Sequence, residues 1–134
     1  MTEWAKVTKT ADGDAVIDEQ WVQLGLARVR AKAEVLQLMN WKVAWGLTVG
    51  DLSPADASAT KVFGTNAYIE CLGILMEIMG PISLLKAGSP DALLRGRIER
   101  SYQGILVLTF GGGTTEIQRD IIAMLGLGMP RAPR

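Results

Sequence analysis

The residues best placed to do chemistry form one run, Phe110-Gly111-Gly112-Gly113-Thr114-Thr115-Glu116-Ile117-Gln118-Arg119. Three successive glycines let a backbone take positive φ or press close to a flat ligand. The threonines that follow can cap a helix, and the first turn of that helix exposes unpaired amides whose dipole favours negative charge. Such a place suits an anion or the polar edge of a ring. The same residues serve equally well as a plain helix-to-helix turn with a threonine cap.

The rest of the chain narrows the chemistry. Among its 134 residues there is no histidine, which removes Ser-His-Asp and Cys-His nucleophile machinery. Cys71 is the single cysteine, and no Cys, His or carboxylate cluster has metal-ligand spacing, so disulfide scaffolds and metal sites are excluded. What remains is carboxylates, lysines, tyrosines or a borrowed cofactor, and the cofactor is the favoured route. Lys plus Arg equals Asp plus Glu at 14 each, which gives no net field to attract nucleic acid or an acidic membrane. The N-terminus lacks an apolar signal core, and no stretch is expected to reach the roughly 18 apolar residues of a membrane span. A soluble, unprocessed chain in a reducing cytoplasm is the expectation.

The elements that must position the glycine run read as helices. Hydrophobic residues make up 49% and aromatics only 6%, with little of the β-branched aromatic mixture of sheets. Residues 1–17 read as a flexible leader. A first helix is expected over residues 18–45, capped by Asp18, with Val22, Leu26, Val29, Ala33 and Leu36 in helical rhythm and with Gly46 and Gly50 stopping it. Ser53-Pro54-Ala55-Asp56 is a strong start signal for a second helix, which buries Val62, Ile69, Leu72, Met76 and Met79 and ends at Gly80-Pro81. Ser89-Pro90-Asp91 repeats that chemistry for a third, carrying Leu94, Ile98, Ile105 and Leu108 up to the glycine run. Thr114 or Thr115 then caps a fourth, with Ile117, Ile121 and Leu125. The fold class is therefore all-α, an up-down bundle of about four helices over residues 18–130, with a tail at 131–134. Trp21, Trp41 and Trp45 read as core or interface packing, Cys71 as a buried small hydrophobe, and Arg95, Arg97 and Arg100 as a solvated face.

The segment from Gly111 through Ile117-Gln118-Arg119, Ile121-Ile122-Ala123 and Leu125-Gly126-Leu127-Gly128-Met129-Pro130 resembles the ending of acyl-CoA dehydrogenases. Upstream, Ala59-Thr60-Lys61 with Phe63-Gly64 resembles the start of a family helix, and Glu77-Ile78-Met79-Gly80 its glycine-marked end. The resemblance covers residues 18–131 and implies the C-terminal helical domain of that family, which in full-length members packs on a β-rich domain and an N-terminal helical domain absent from this sequence. It further implies FAD held across a subunit interface, an acyl-CoA thioester substrate, and oligomerisation with itself or with another acyl-CoA dehydrogenase chain.

Carried over residue by residue, the resemblance makes Gly113, Thr114 and Glu116 the positions that approach FAD. Met79 and Gly80 match the helix end that offers backbone to the adenosine half of a neighbouring subunit's FAD, although the family usually has two glycines where this chain has Gly80-Pro81. Many members carry the catalytic glutamate where this chain has Gly112, and the alternative site on an earlier helix has no match before Asp18, so no catalytic residue is assigned. Glu116 is a poor substitute, because a carboxylate at a helix N-terminus is held ionised. Two functions stay open: an FAD-associated oxidoreductase part that is incomplete alone, and a non-catalytic helical oligomerisation module or truncated relative that lost the catalytic base. Both predict an uncovered apolar seam, with Met76 and Met79 available to a partner chain.

Overall fold

A computed structural model describes residues 1–131, so the expected tail beyond Arg131 lies outside the described residues. The chain is all-α, as expected, with an isolated bridge between Lys9 and Ala15 and no strand among the described residues. Its α-helices are α1 (Thr2–Val7), α2 (Gln20–Val49), α3 (Pro54–Met79), α4 (Arg97–Ile105) and α5 (Thr115–Ile121), separated by short turns of 3-10 or π type. Two compact units divide the chain. The first takes Met1–Lys32 and Glu70–Gly104, the second Ala33–Ile69 and the described residues from Ile105 onward, so each holds part of α2 and part of α3.

Residues 1–17 carry structure where a flexible leader is expected. They hold α1, the Lys9 to Ala15 bridge and the fully buried Ala5, and α1 packs on the 3-10 turn Val16–Asp18. That turn delays α2, which starts at Gln20 instead of being capped by Asp18. The helix also passes through its expected stop at Gly46. A Cβ there would lie 3.3 Å from the Asp51 carbonyl oxygen, so glycine makes room for the returning chain. The stop falls on Gly50 at φ +75, and Asp51 N donates to Gly46 O at 2.9 Å, closing the helix with the long bond of a Schellman motif.

Helix α3 follows its signals closely. Ser53 Oγ accepts from Ala55 N at 3.2 Å, Pro54 occupies the first position, and the helix ends at Met79 before Gly80 at φ +64. The identical chemistry at Ser89-Pro90-Asp91 makes only a turn, and α4 does not begin until Arg97. Leu94 and Arg95 take φ +50 and +58, and Gly96 is pressed against the earlier chain, where a Cβ would stand 2.5 Å from Ala87 N. That tertiary contact overrides the local start signal.

Within the first unit α2 and α3 run antiparallel, with Gly25 facing Ile74 and Ile78, and Lys32 bridging Glu70 at 2.8 Å. Val22, Ile78 and Met79 are buried there. Met79, only 6% exposed, is therefore core and not available to a partner, contrary to expectation. Within the second unit the pairing is again antiparallel, with Gly64 against Leu36 and Lys42 bonded to Asp56 at 2.7 Å. Its interior is built from small side chains, Ala55, Ser58, Thr65 and Ala67. Trp41 and Trp45 are 60% and 68% exposed, so neither is core. Contrary to expectation, Pro54–Leu84 is long and apolar enough by those criteria alone to cross a membrane. We read it as a bundle helix, because Lys61, Glu70 and Glu77 would be costly in hydrocarbon.

Candidate functional site

In the second unit the glycine run is a tightly held turn. Gly111 N donates to Val107 O at 2.7 Å and Gly113 N to Phe110 O at 3.2 Å, while Gly112 and Gly113 take φ +73 and +94. Three further carbonyls are claimed by side chains. Gln118 Nε2 donates to Gly112 O at 2.8 Å, and Lys61 Nζ donates to Leu108 O at 3.0 Å and to Gly113 O at 2.6 Å. Thr114 is the cap, its hydroxyl accepting from Ile117 N at 3.5 Å and its carbonyl from Gln118 N at 3.0 Å.

Of the residues expected to approach a flavin, Gly113, Thr114 and Glu116 are brought together on this turn and the first turn of α5. The space a side chain would take at Gly113 is filled by Gln118 Nε2, 2.9 Å from an ideal Cβ, whereas at Gly112 nothing lies within 4 Å. The bare face of the loop is therefore at Gly112. Glu116 is exposed, and its carboxyl is held below the usual glutamate range by its own backbone amide first and by the Thr114 hydroxyl second. A carboxylate so held is a poor proton acceptor near neutrality. Met79 and Gly80 belong to the first unit, at the end of α3, where a Cβ on Gly80 would meet nothing within 4 Å.

Beside the glycine turn lies an open, mostly apolar cleft of about 370 Å³. Leu36, Val43 and Leu108 supply apolar wall, Tyr68 and Thr65 supply hydroxyls, and Gly111 and Gly112 form one edge. Lys61 is the one charged residue on its lining, and no carboxylate lines it among the described residues. The residues present fit the edge of a flat ring: a bare glycine at a fixed turn, with an apolar wall alongside. No group of His, Cys, Asp or Glu among the described residues could hold a metal ion.

Residues 1–127 match the family model described as "Acyl-CoA dehydrogenase, C-terminal domain". The chain belongs to the acyl-CoA dehydrogenase family. The match takes in the residues before Asp18 as well as the stretch that carries the resemblance as far as Leu127. Acyl-CoA dehydrogenase FadE26 of Mycobacterium tuberculosis (strain ATCC 25618 / H37Rv) is 57% identical over 137 residues, covering 100% of this chain and 34% of that protein. The chain thus spans about a third of the length of the curated relatives it matches. Among solved structures, the ChsE4-ChsE5 complex from Mycobacterium tuberculosis superposes with a TM-score of 0.91 at 57% identity, covering 98% of this chain and 34% of that one. The Tcur3481-Tcur3483 steroid ACAD gives 0.85 at 43% identity, over 87% and 30%.

Sequence reasoning placed Lys61 and Gln118 only as parts of a family likeness and gave them no role. The signal that points to Lys61 is its setting. Ala57 one turn before and Gly64 one turn after leave the helix face open, so the long lysine can lie across it toward a distant carbonyl.

Proposed function

We propose that this chain is the C-terminal, FAD-contacting domain of an acyl-CoA dehydrogenase, working beside a second chain that supplies the proton-abstracting base. The observation that carries the reading is Gly112. It stands, at φ +73, where many acyl-CoA dehydrogenases have their catalytic glutamate, and no carboxylate lines the neighbouring cleft among the described residues. Support for a second chain comes from the two-component ChsE4-ChsE5 and Tcur3481-Tcur3483 structures. A steroid-type acyl-CoA is the favoured substrate class over a straight fatty acyl chain, because the second of these is a steroid ACAD. The single free cysteine suits a reducing cytoplasm.

In that role FAD supplies the acceptor for the hydride that leaves the acyl chain as its α,β bond is oxidised. This chain's residues bind and orient. Gly112 offers bare backbone to the ring edge, and Gly113 with Lys61 and Gln118 holds the turn at one height. Thr114 and Glu116 close the first turn of α5 and leave it ordered beside the ring. The Met79 side chain is core, so at the end of α3 it is the backbone of Met79 and Gly80 that is offered to the adenosine half of a neighbouring subunit's FAD. Val35, Leu38, Trp41, Trp45 and Val49 form an exposed apolar stripe along one side of α2 and are offered to the partner chain.

The test is co-expression with the neighbouring reading frames. Yellow protein and oxidation of a steroid-side-chain CoA thioester are expected only from the co-expressed complex. A flavin-loaded, active enzyme from this chain alone would refute the two-chain reading, and a colourless complex would favour a non-catalytic module. By size-exclusion chromatography with light scattering, a well-folded monomer at micromolar concentration would contradict the role given to the α2 stripe.

A further inference from the structure

We propose that Lys61 is a positioning residue for the glycine turn, its ammonium fixing the height at which Gly112 and Thr114 meet the ring edge. The inference rests on the flavin reading above but is tested separately from it. Lys61 Nζ spends two of its three N–H groups on Leu108 O and Gly113 O, carbonyls 47 and 52 residues away in sequence that flank the turn on both sides. A surface lysine ordinarily keeps its ammonium in water, and long lysine pairs at exposed sites contribute little. Here the ammonium is only partly exposed and bonds two backbone carbonyls of a loop.

The backbone of the turn shows why a cation is needed. Val107 O and Phe110 O find amide partners within the loop, and Gly112 O is met by Gln118. Leu108 O and Gly113 O are met by Lys61. Two adjacent glycines at positive φ have little stiffness of their own, so the carbonyl that follows them needs an external anchor. Charge-assisted bonds are the stronger kind, and one ammonium can hold both sides of the turn. The small residues Ala57, Gly64 and Thr65 beside it leave the cleft side of α3 low enough for that reach.

The experiment uses the flavin-loaded complex with Lys61→Met and Lys61→Arg. Hydrogen exchange read by mass spectrometry should rise about tenfold or more over residues 109–118 in Lys61→Met, the loss expected for hydrogen bonds to a charged group. Peptides from the first half of α2 and the second half of α3, both in the first unit, should be unchanged, and Lys61→Arg should recover most of the protection. In parallel, the visible band of bound flavin should shift and flavin should be lost more readily on dilution in Lys61→Met, with Arg again restoring both. Unchanged exchange in the loop would overturn the proposal. So would a loosened loop whose flavin spectrum and retention stay as in the parent, since Lys61 would then be merely structural. If the parent complex holds no flavin, the cofactor reading falls and the flavin half of this proposal falls with it, while the exchange result still decides whether Lys61 anchors the turn. Should Lys61→Met fail to assemble, Lys61→Gln, which keeps a shorter neutral donor, is read the same way.

Discussion

Alanine at Gly112 and at Gly113 should separate the cost of backbone conformation from the cost of displaced side chains. Both glycines have positive φ, so each alanine carries a left-handed penalty of about 1–2 kcal/mol. At Gly112 nothing else is disturbed, because nothing lies within 4 Å of the new Cβ. At Gly113 the Cβ would stand 2.9 Å from Gln118 Nε2, the end of a flexible side chain. Gln118 will swing away and give up its 2.8 Å bond to Gly112 O, which adds about 0.5–1.5 kcal/mol. Gly113→Ala is therefore expected to cost about 1.5–3.5 kcal/mol in total and Gly112→Ala about 1–2. In a Gln118→Ala background the extra term has already been removed, and the two glycine variants should cost the same. Urea unfolding followed by far-UV circular dichroism, at one fixed protein concentration, measures all of these. Equal costs in the parent background, or a difference that survives Gln118→Ala, would refute the reasoning.

Other outcomes follow from single positions. Gly96→Ala sets a Cβ 2.5 Å from the Ala87 backbone nitrogen at φ +68, and should cost about 3 kcal/mol or more in the same unfolding assay. Gly88→Ala, at φ +96 in open space, should cost only the conformational penalty of about 1–2 kcal/mol. The Glu116 carboxyl should titrate by NMR below an ordinary glutamate; because its folded value is depressed, its contribution to stability is present above the unfolded value and fades as pH falls through the folded one. Glu116→Gln should flatten that acid limb. Burial raises the Cys71 thiol, so alkylation at neutral pH should be slow in the native protein and fast in urea.

Local chemistry read correctly wherever the element ends were set by local chemistry. Ser53 and Pro54 start α3, Gly80 ends it, and Thr114 caps α5, each by the mechanism its residue type supplies. Reading failed where a contact outside the start or stop signal itself decided. Ser89-Pro90-Asp91 has the same start chemistry as Ser53, yet the close passage of Gly96 against Ala87 bends the chain away from a helix. Gly46 looks like a stop, but it is a seat for Asp51 and Leu52 inside a continuing helix. Residues 1–17 carry no long periodicity, so α1 and its bridge had no signal strong enough to read. At the site the glycine turn and its cap were legible, while Lys61 was not, since its partners are 47 and 52 residues off.

The tryptophans of α2 have a practical consequence. Trp41 and Trp45 stand largely in water, so their indole emission should be long-wavelength and easily quenched by iodide while the second unit is uncovered. Anything that settles on the stripe between Val35 and Val49 would dry both rings at once, shifting that emission to the blue and shielding it from quencher. The chain thereby carries its own optical gauge of assembly, readable by titration without a label.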